Sequence, residues 1–409
     1  MTKLLLKNAL LLDAEAGELI PDRHVLIEDG RIRAVDTAVP KAADADVLDL
    51  KGRVLMPGLC DAHVHVTAAT PDFALLTRWS PSYVAVRAGE ILHAMLMRGF
   101  TTVRDAGGAD FGLADAIEEG VISGPRLRFC GHALSQTGGH GDMRQRGEHA
   151  LDECLCCAGL GRICDGVAEM RRACRDEIRK GAHQIKLMVS GGVSSPTDRI
   201  TSTQFAAEEI TAAVEEAEAA DIYVMAHAYT ARAINRALEC GVRSIEHGNL
   251  LDESSIALFR AKDAFLVPTL STYRALAEEG VAAGMPARLV DKVHDVLDAG
   301  MRALELAHRH GVRMAYGTDL LGAMHRHQLR EFAIRAEVQR PADIIRAATV
   351  NAADLFRMRG EIGVIAPGAR ADLLVLDGNP LEDLGVLQAP ERHLRLILKD
   401  GRAYKNELA

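Results

Sequence analysis

The stretch Gly58–Val66 reads GLCDAHVHV and carries two histidines, His63 and His65, within a mostly apolar run. A short apolar run of this kind predicts a β-strand. Side chains two positions apart on a strand point to the same face, so both imidazoles would lie side by side. Such a pair can bind a metal, although this spacing alone suits surface or packing histidines equally well.

Further short apolar or β-branched runs follow along the chain, and stretches with helical periodicity separate them. The predicted strands are Thr101–Asp105, Arg128–Leu134, Gln184–Val189, Tyr223–Ala228, Arg243–His247, Phe265–Leu270 and Arg313–Thr318. The clearest predicted helices are Ala206–Ala220, Ala231–Cys240, Glu253–Ala261 and Ala287–His310. Strand–helix alternation repeated about eight times predicts an α/β fold, a (β/α)8 TIM barrel, in preference to an open sheet.

Both ends of the chain have a different texture, with short strands and tight turns such as Asp29-Gly30. The predicted strands there are Lys3–Leu12, His24–Glu28, Arg31–Val35, Val47–Asp49, Asp372–Asp377 and Leu394–Lys399. We interpret them as one small β-sandwich formed by both termini, with two unrelated β-appendages as the alternative. The predicted domains are therefore a composite β-sandwich of residues 1–57 plus 365–409 and a metal-dependent catalytic barrel of residues 58–364.

The composition is that of a globular protein, because 48% of the 409 residues are apolar and 26% are charged. Only 4% are aromatic, so the core must be largely aliphatic, which suits helices packed on buried parallel strands. The net charge of −9 would repel a phosphate backbone, so we expect no nucleic-acid partner.

Targeting signals are not evident in the sequence. Lys7 and Asp13 interrupt the first apolar run, which therefore lacks the pattern of a secretory signal peptide. No run reaches the roughly 18 apolar residues that span a bilayer, so we expect no membrane association. The sequence thus predicts a cytoplasmic protein, and its eight cysteines are expected to be thiols.

Four more chemically capable residues lie within or at the ends of predicted strands: Lys186, His227, His247 and Asp319. In a (β/α)8 barrel the reactive groups project from the carboxyl ends of the strands. Lys186 lies in the apolar run QIKLMVSGG, where a buried ammonium is costly without a partner. Its neutral amine could react with CO2 to give a carbamate that bridges two metals; pairing with a carboxylate is the alternative.

This set of residues, together with MPGLCDAHVH and GVIAPGARADLLVLDGNP, resembles the amidohydrolase superfamily over essentially the whole chain. The resemblance implies two divalent metal ions, usually Zn²⁺. By that resemblance His63 and His65 bind the first metal, and His227 and His247 bind the second. The CO2-derived carbamate on Lys186 would bridge the two metals. Asp319 would bind the first metal and act as the base for the attacking hydroxide.

A narrower resemblance rests on further motifs, which are ALSQTGGHGD, QIKLMVSGGVSSPTD, AHAYT, EHGN and GTDLLGAMHRHQ. They are similar to the imidazolonepropionase-like or Xaa-Pro dipeptidase-like branch, some of whose members hydrolyse ochratoxin A. The resemblance implies hydrolysis of the amide bond to a C-terminal amino acid in dipeptides or N-acyl amino acids. Ochratoxin A, which would release phenylalanine, is a candidate substrate. The resemblance also implies a homo-oligomer.

Substrate contacts follow from the same resemblance. Tyr229 would donate to the substrate's carbonyl oxygen as the oxyanion develops, and His140 would hold the substrate's free carboxylate. His325, Arg326 and His327 could assist, with a solvated charged loop as the equal alternative. Hydrophobic C-terminal residues are weakly favoured, since no acidic cluster is placed to receive a cationic side chain.

Other functions remain open at this point. Metal ligands are common to the superfamily, so a lactonase or a cyclic-amide hydrolase is the first alternative. A non-enzymatic metal-binding barrel is the second. Four cysteines lie close together in sequence, and their spacing does not match a structural zinc site. They are Cys154, Cys156, Cys157 and Cys164.

Overall fold

The structure is a computed structural model that describes residues 3–41, 44–149 and 160–408. The chain divides into two compact units. One comprises Met1–Asp61, His93–Val103 and Phe332–Ala409, and the other comprises Ala62–Leu92 and Arg104–Glu331. The domain boundaries drawn from the sequence stay a prediction, as do the homo-oligomer and the cytoplasmic location.

The strands are β1 (Lys3–Asp13), β2 (Glu18–Glu28), β3 (Arg31–Asp36), β4 (Asp46–Asp49), β5 (Val54–Pro57), β6 (Leu59–Val64), β7 (Phe100–Asp105), β8 (Arg126–Arg128), β9 (Ala133–Ser135), β10 (Gly161–Ile163), β11 (Ile185–Met188), β12 (Val224–Thr230), β13 (Ser244–Leu250), β14 (Phe265–Val267), β15 (Arg313–Met314), β16 (Leu373–Leu376), β17 (Leu394–Lys399) and β18 (Arg402–Asn406).

The helices are α1 (Phe73–Leu76), α2 (Pro81–Met97), α3 (Phe111–Glu118), α4 (Gly166–Arg179), α5 (Ala207–Ala219), α6 (Ala231–Glu239), α7 (Glu253–Ala261), α8 (Leu270–Glu279), α9 (Val290–Arg309), α10 (Arg330–Ala336), α11 (Pro341–Ala347), α12 (Val350–Leu355), α13 (Gly385–Gln388) and α14 (Pro390–His393), with 3₁₀ turns at Ala287–Leu289 and Gly322–His327. Within the described ranges, no helix has the length and apolar character needed to cross a membrane.

The first unit is built on an eight-stranded sheet to which both termini contribute. Its strand order is β18-β17-β16-β5-β1-β2-β3, and β4 pairs with β1. The turn between β2 and β3 is the predicted one, because Asp29 and Gly30 both have positive φ, at 48° and 78°. The sequence prediction that the two ends fold together is thus confirmed at the level of one sheet.

Alternate residues of these strands form the core of the first unit. The buried residues include Val25 and Ile27 on β2, Leu373 and Val375 on β16, and Leu396 and Leu398 on β17. Successive side chains on a strand point to opposite faces, so this two-residue spacing gathers one face of each strand into a single apolar cluster.

The second unit contains a seven-stranded sheet with the order β10-β9-β11-β12-β13-β14-β15. Every neighbouring pair in it is parallel. All four residues of β11 and all three of β14 are buried, as expected for parallel strands covered on both faces. A separate three-stranded sheet has the order β6-β7-β8.

Most predicted elements are present, and three of the four predicted helices are accurate to within one residue at each end. The fourth, Ala287–His310, begins as a 3₁₀ turn at Ala287–Leu289, and α9 starts at Val290. The single predicted strand Arg128–Leu134 is wrong, because β8 ends at Arg128 and β9, in a different sheet, begins at Ala133. Phe265–Leu270 is too long as predicted. Pro268 has no N–H for a ladder hydrogen bond, so β14 ends at Val267. The last predicted strand is shorter too, since β15 ends at Met314.

Candidate active site

Three of the predicted site residues lie on neighbouring parallel strands of the seven-stranded sheet. Lys186 lies in β11, His227 in β12 and His247 in β13. In the register of the sheet, His227 is opposite Met188 and His247 is opposite Ala228. Because the strands run in the same direction, their carboxyl ends share one edge, and the three side chains are brought together there.

His63 and His65 meet Asp319 at the same site. Donor atoms of these three residues all lie within 4.8 Å of one another, a grouping that could hold a metal ion. Asp319 Oδ1 is 3.5 Å from His63 Nε2 and 3.3 Å from His65 Nε2. The backbone N–H of Asp319 donates to the carbonyl oxygen of His63 at 2.8 Å, which fixes the carboxylate beside both rings.

The histidines on β12 and β13 complete the cluster. The ring centroid of His247 is 4.9 Å from that of His63 and 4.7 Å from that of His227. All four imidazoles are buried. The structure therefore brings together the four histidines, Lys186 and Asp319 that the sequence singled out.

Hydrogen bonds hold one ring nitrogen of each of three histidines and leave the other available to a divalent metal. His63 Nδ1 donates to Glu246 at 2.7 Å and His65 Nδ1 donates to the Gly107 carbonyl at 2.9 Å, so Nε2 of each faces Asp319. His227 donates from Nε2 to the Gly191 carbonyl at 3.1 Å, which leaves Nδ1. Each ring is thus held by its other nitrogen, the usual arrangement of metal-binding histidines, and the set fits divalent cations.

The protonation states of Lys186 and Asp319 also suit a site for divalent cations. Lys186 is only 1% exposed, and burial lowers the pKa of its ammonium below the ordinary value. A neutral amine is the form that reacts with CO2. Burial acts to raise the pKa of Asp319, but His63 and His65 outweigh it and hold the pKa below its usual range. Asp319 is therefore a carboxylate at neutral pH.

Backbone strain marks two of these residues. His247 and Asp319 have positive φ values of 72° and 53°, a region that few residues other than glycine adopt. Such conformations persist where the surrounding structure imposes them, and they are frequent at functional sites.

A buried ion pair that the sequence analysis missed supports His63. Glu246, which accepts the Nδ1 proton of His63, also accepts from Arg104 Nη2 at 2.9 and 3.1 Å. The side chains of Arg104 and Glu246 are fully buried. Charges of opposite sign within two predicted strands, Arg104 in TTVRD and Glu246 in SIEH, were a signal that could have indicated this pair.

Tyr229 lies beside the histidine cluster, with its ring centroid 4.7 Å from that of His227. Its hydroxyl oxygen is 3.0 Å from the hydroxyl of Tyr273 and also accepts from the backbone N–H of Val193. Burial raises the pKa of Tyr229, so the phenol keeps its proton. Because Tyr273 and Val193 both donate to the Tyr229 oxygen, the hydroxyl proton of Tyr229 is available to a third group, such as a substrate oxygen. Nothing in the sequence pointed to Tyr273.

His140 stacks on His227 with a centroid distance of 4.3 Å and an interplanar angle of 24°. Its Nδ1 is 2.8 Å from Ser195 Oγ, and its backbone N–H donates to Gln204 at 2.9 Å. Burial lowers the pKa of His140 to about 4. The ring is therefore neutral at neutral pH. Nε2 could donate a hydrogen bond to a substrate carboxylate only if the negative charge of that carboxylate favoured protonation of the ring.

The site opens into a cavity of about 660 Å³ that both Tyr229 and His140 line. His325, Arg326 and His327 are not among the described residues that line it. Arg326 and His327 instead bind Glu279, and His325 Nε2 lies 3.4 Å from the Ala68 carbonyl oxygen.

Of the four clustered cysteines, Cys154, Cys156 and Cys157 lie outside the described residues. Cys164 is buried as a thiol, and burial raises its pKa to about 12, so it is not a thiolate at neutral pH.

Comparison with known proteins shows which family and which solved structures the chain is similar to. A model of the amidohydrolase family matches residues 54–403. An ochratoxinase of Aspergillus niger is 34% identical over 366 residues, covering 86% of this chain and 76% of that protein. A crystal structure of a prolidase complexed with N-methylphosphonate-L-proline is 50% identical with a TM-score of 0.97, covering 99% of this chain and 100% of that one.

A crystal structure of a Xaa-Pro dipeptidase with bound methionine is 29% identical with a TM-score of 0.89, covering 99% of this chain and 100% of the other. The family model spans most of the sequence, and the similar proteins are hydrolases of amide or peptide bonds. The chain therefore belongs to the amidohydrolase family and is a hydrolase that acts on amide or peptide bonds.

Proposed function

We propose that this enzyme hydrolyses the amide bond to a C-terminal amino acid in dipeptides or N-acyl amino acids, with ochratoxin A as one candidate. The observation that carries the proposal is the buried cluster of four histidines, one lysine and one aspartate, which opens into the cavity that Tyr229 and His140 line. The names of the similar ochratoxinase, prolidase and Xaa-Pro dipeptidase support the same substrate class.

The ligand assignment is part of the proposal. His63, His65 and Asp319 would hold one divalent metal, usually Zn²⁺ in this superfamily, and His227 and His247 a second. Lys186, as its CO2-derived carbamate, would bridge them. Two bound divalent cations would bring the pKa of a shared water near neutrality and polarise the scissile carbonyl.

The protein's own groups move the protons. Asp319 is an ionised carboxylate beside His63 and His65, placed to take a proton from the attacking water and return it to the leaving amine. Tyr229 keeps its proton and donates a hydrogen bond from its phenolic O–H to the carbonyl oxygen as negative charge develops there. His140 holds the free carboxylate of the C-terminal residue through Nε2, which takes up a proton as the carboxylate binds, while Nδ1 stays on Ser195.

The fold that carries the site would be a closed (β/α)8 barrel of residues 58–364, with residues 1–57 plus 365–409 forming the β-sandwich. Backbone hydrogen bonds support the closure: Ala62 donates to Tyr316 at 2.7 Å, and Asp319 donates to His63. These bonds join β6 to the segment that follows β15, which supports a barrel in which the first and last strands are neighbours.

A substrate screen tests the proposal. Metal-loaded enzyme is incubated with a library of dipeptides and N-acyl amino acids, and release of the free C-terminal amino acid is measured by mass spectrometry. We expect turnover of several members and none after removal of metal with a chelator. Hydrolysis of lactones or cyclic amides alone would reject the proposed substrate class, and an enzyme inert to amides, esters and lactones would support a binding protein.

Tyr229→Phe should lower kcat by about 10²-fold with little change in KM, because a donor to the developing oxyanion acts mainly in the transition state. Steady-state kinetics on the best screened substrate measure both constants. Tyr316→Phe is the matched control. Its hydroxyl is also buried but donates to the Gln328 carbonyl at 2.6 Å, and Tyr316 does not line the cavity. A rise in KM at constant kcat would assign Tyr229 to ground-state binding instead.

Glu246→Gln should weaken metal binding by about 10- to 100-fold, because a neutral amide is a poorer partner for the Nδ1 proton of His63. Competition with a chromophoric chelator measures the affinity, and circular dichroism verifies the fold. Glu216→Gln is the control, since Glu216 on α5 pairs with Arg171 and Arg175 on α4 and does not line the cavity. Equal metal affinity in wild type and Glu246→Gln would remove Glu246 from the support of His63.

A further inference from the structure

A lysine outside the histidine cluster fastens the loop that follows β11. Lys292, near the start of α9, donates from Nζ to the carbonyl oxygens of Gly192 at 3.1 Å, Ser195 at 3.0 Å and Asp198 at 2.8 Å. Nζ also lies 3.4 Å from Asp198 Oδ1, so the three N–H donors of the ammonium are shared among these carbonyl oxygens and one carboxylate oxygen. The lysine side chain is 21% exposed, so solvent reaches this group of carbonyl oxygens.

Inside this loop, a chain of hydrogen bonds runs to His140. Ser195 Oγ donates to Asp198 Oδ1 and also lies 3.3 Å from the Gly192 carbonyl oxygen, so the serine proton is used within the loop. The serine oxygen must then accept from His140 Nδ1, which lies 2.8 Å away. Gln204 closes the network: its Nε2 donates to Asp198 Oδ2 at 2.9 Å, and its Oε1 accepts the backbone N–H of His140.

The imidazole of His140 is also confined sterically. A Cβ atom on Gly192 would lie 2.1 Å from His140 Cε1 and 2.4 Å from each ring nitrogen, so only glycine allows the ring this close to the loop. His227 stacks on the ring at 4.3 Å. Fastening Gly192 to α9 through Lys292 therefore fixes one wall of the slot that holds the ring.

We propose that Lys292, Asp198 and Ser195 are positioning residues for His140: they hold its Nδ1 proton on Ser195 and present its Nε2 to the substrate. Among the described residues, no hydrogen-bond partner of His140 Nε2 is found, whereas Nδ1 is engaged. This inference depends on the proposed function in one respect, which is that the group bound by Nε2 is the substrate's free carboxylate. The orientation of the ring can be tested with no substrate present.

Nitrogen-15 spectroscopy of histidine-labelled enzyme tests the orientation directly. The resonances of His140 are assigned by their loss in His140→Gln. We expect wild-type Nδ1 to carry a proton, and Ser195→Ala to shift that resonance by redistributing the proton between the two nitrogens. An unprotonated Nδ1 in the wild type, or a His140 spectrum unchanged in Ser195→Ala, would overturn the proposal whether or not an amide substrate is ever found.

A double-mutant cycle tests the consequence for turnover. Ser195→Ala and Lys292→Ala should each lower kcat/KM for an N-acyl amino acid about tenfold, and should have no further effect when added to His140→Ala.

Methylammonium or ammonium ions should partly restore the activity of Lys292→Ala by binding the carbonyl oxygens that Lys292 contacts. They should not change the activity of the surface control Lys262→Ala. If Ser195→Ala and Lys292→Ala lowered kcat/KM equally in the wild type and in His140→Ala, the loop would have only a structural role and the proposal would be overturned. Should Lys292→Ala fail to fold, Ser195→Ala alone decides between these outcomes.

Discussion

Lys186→Ala should lose its metal and its activity together, falling to the background rate of hydrolysis. The alanine cannot form the carbamate that we propose as the bridging ligand, and the four histidines and Asp319 cannot replace its charge. The measurement pairs metal content per chain, by mass spectrometry, with turnover of the best screened substrate. Short carboxylic acids should restore part of both, because a small carboxylate can enter the space that the lysine side chain vacates.

Lys262→Ala provides the control for this experiment. Lys262 is exposed at the C-terminal end of α7 and does not line the cavity, so its loss should change neither metal content nor turnover. Full activity in Lys186→Ala would exclude Lys186 from the site. Retained metal with lost activity, and no response to added carboxylic acids, would contradict the bridging role.

Asp319→Asn should fold, keep much of its metal and lose about 10²- to 10⁴-fold in kcat, the usual cost of removing a general base. The amide oxygen of asparagine can still act as a ligand, but it cannot take a proton from water at neutral pH. Asp319 is held ionised by His63 and His65, which oppose the effect of burial on its pKa. Pre-steady-state and steady-state kinetics on the same substrate separate this step from product release.

The matched substitution is Asp252→Asn at the N-terminus of α7, where the carboxylate accepts from the backbone N–H groups of Ser254 and Ser255. It should leave kcat unchanged. An unchanged kcat in Asp319→Asn would remove Asp319 from proton transfer. A complete loss of metal in that variant would show that Asp319 is needed mainly to hold the metal. Its role as a base would then have no support.

The sequence predicted which residues lie together better than it predicted where the strands end. The two-residue spacing of His63 and His65 requires only that both lie on a strand, and Lys186 was conspicuous because its neighbours are apolar. Residues that follow the carboxyl ends of parallel strands must meet at one edge, whatever the exact bounds of those strands. This is why the cluster was predictable even though β14 ends early at Pro268.

The supporting residues depend on contacts between distant parts of the chain. Lys292 is 100 residues from Gly192 and 94 from Asp198, and its surroundings in sequence are those of an ordinary amphipathic helix. Tyr273 likewise belongs to a helix and reaches Tyr229 only through the packing of α8. No local pattern predicts such pairs. The buried charges Arg104 and Glu246 were predictable in kind, as a pair, but not as the support of His63.

Recognition of a free C-terminal carboxylate is the central claim, and the turnover of N-acetylphenylalanine against its C-terminal amide tests it most directly. A charge-assisted hydrogen bond contributes about 1.5–3 kcal/mol, so the wild type should hydrolyse the acid with a kcat/KM about one to two orders of magnitude above that of the amide. In His140→Ala the two substrates should become nearly equal. Equal turnover of acid and amide by the wild type would contradict the account, and the lactonase or cyclic-amide alternative would then be favoured.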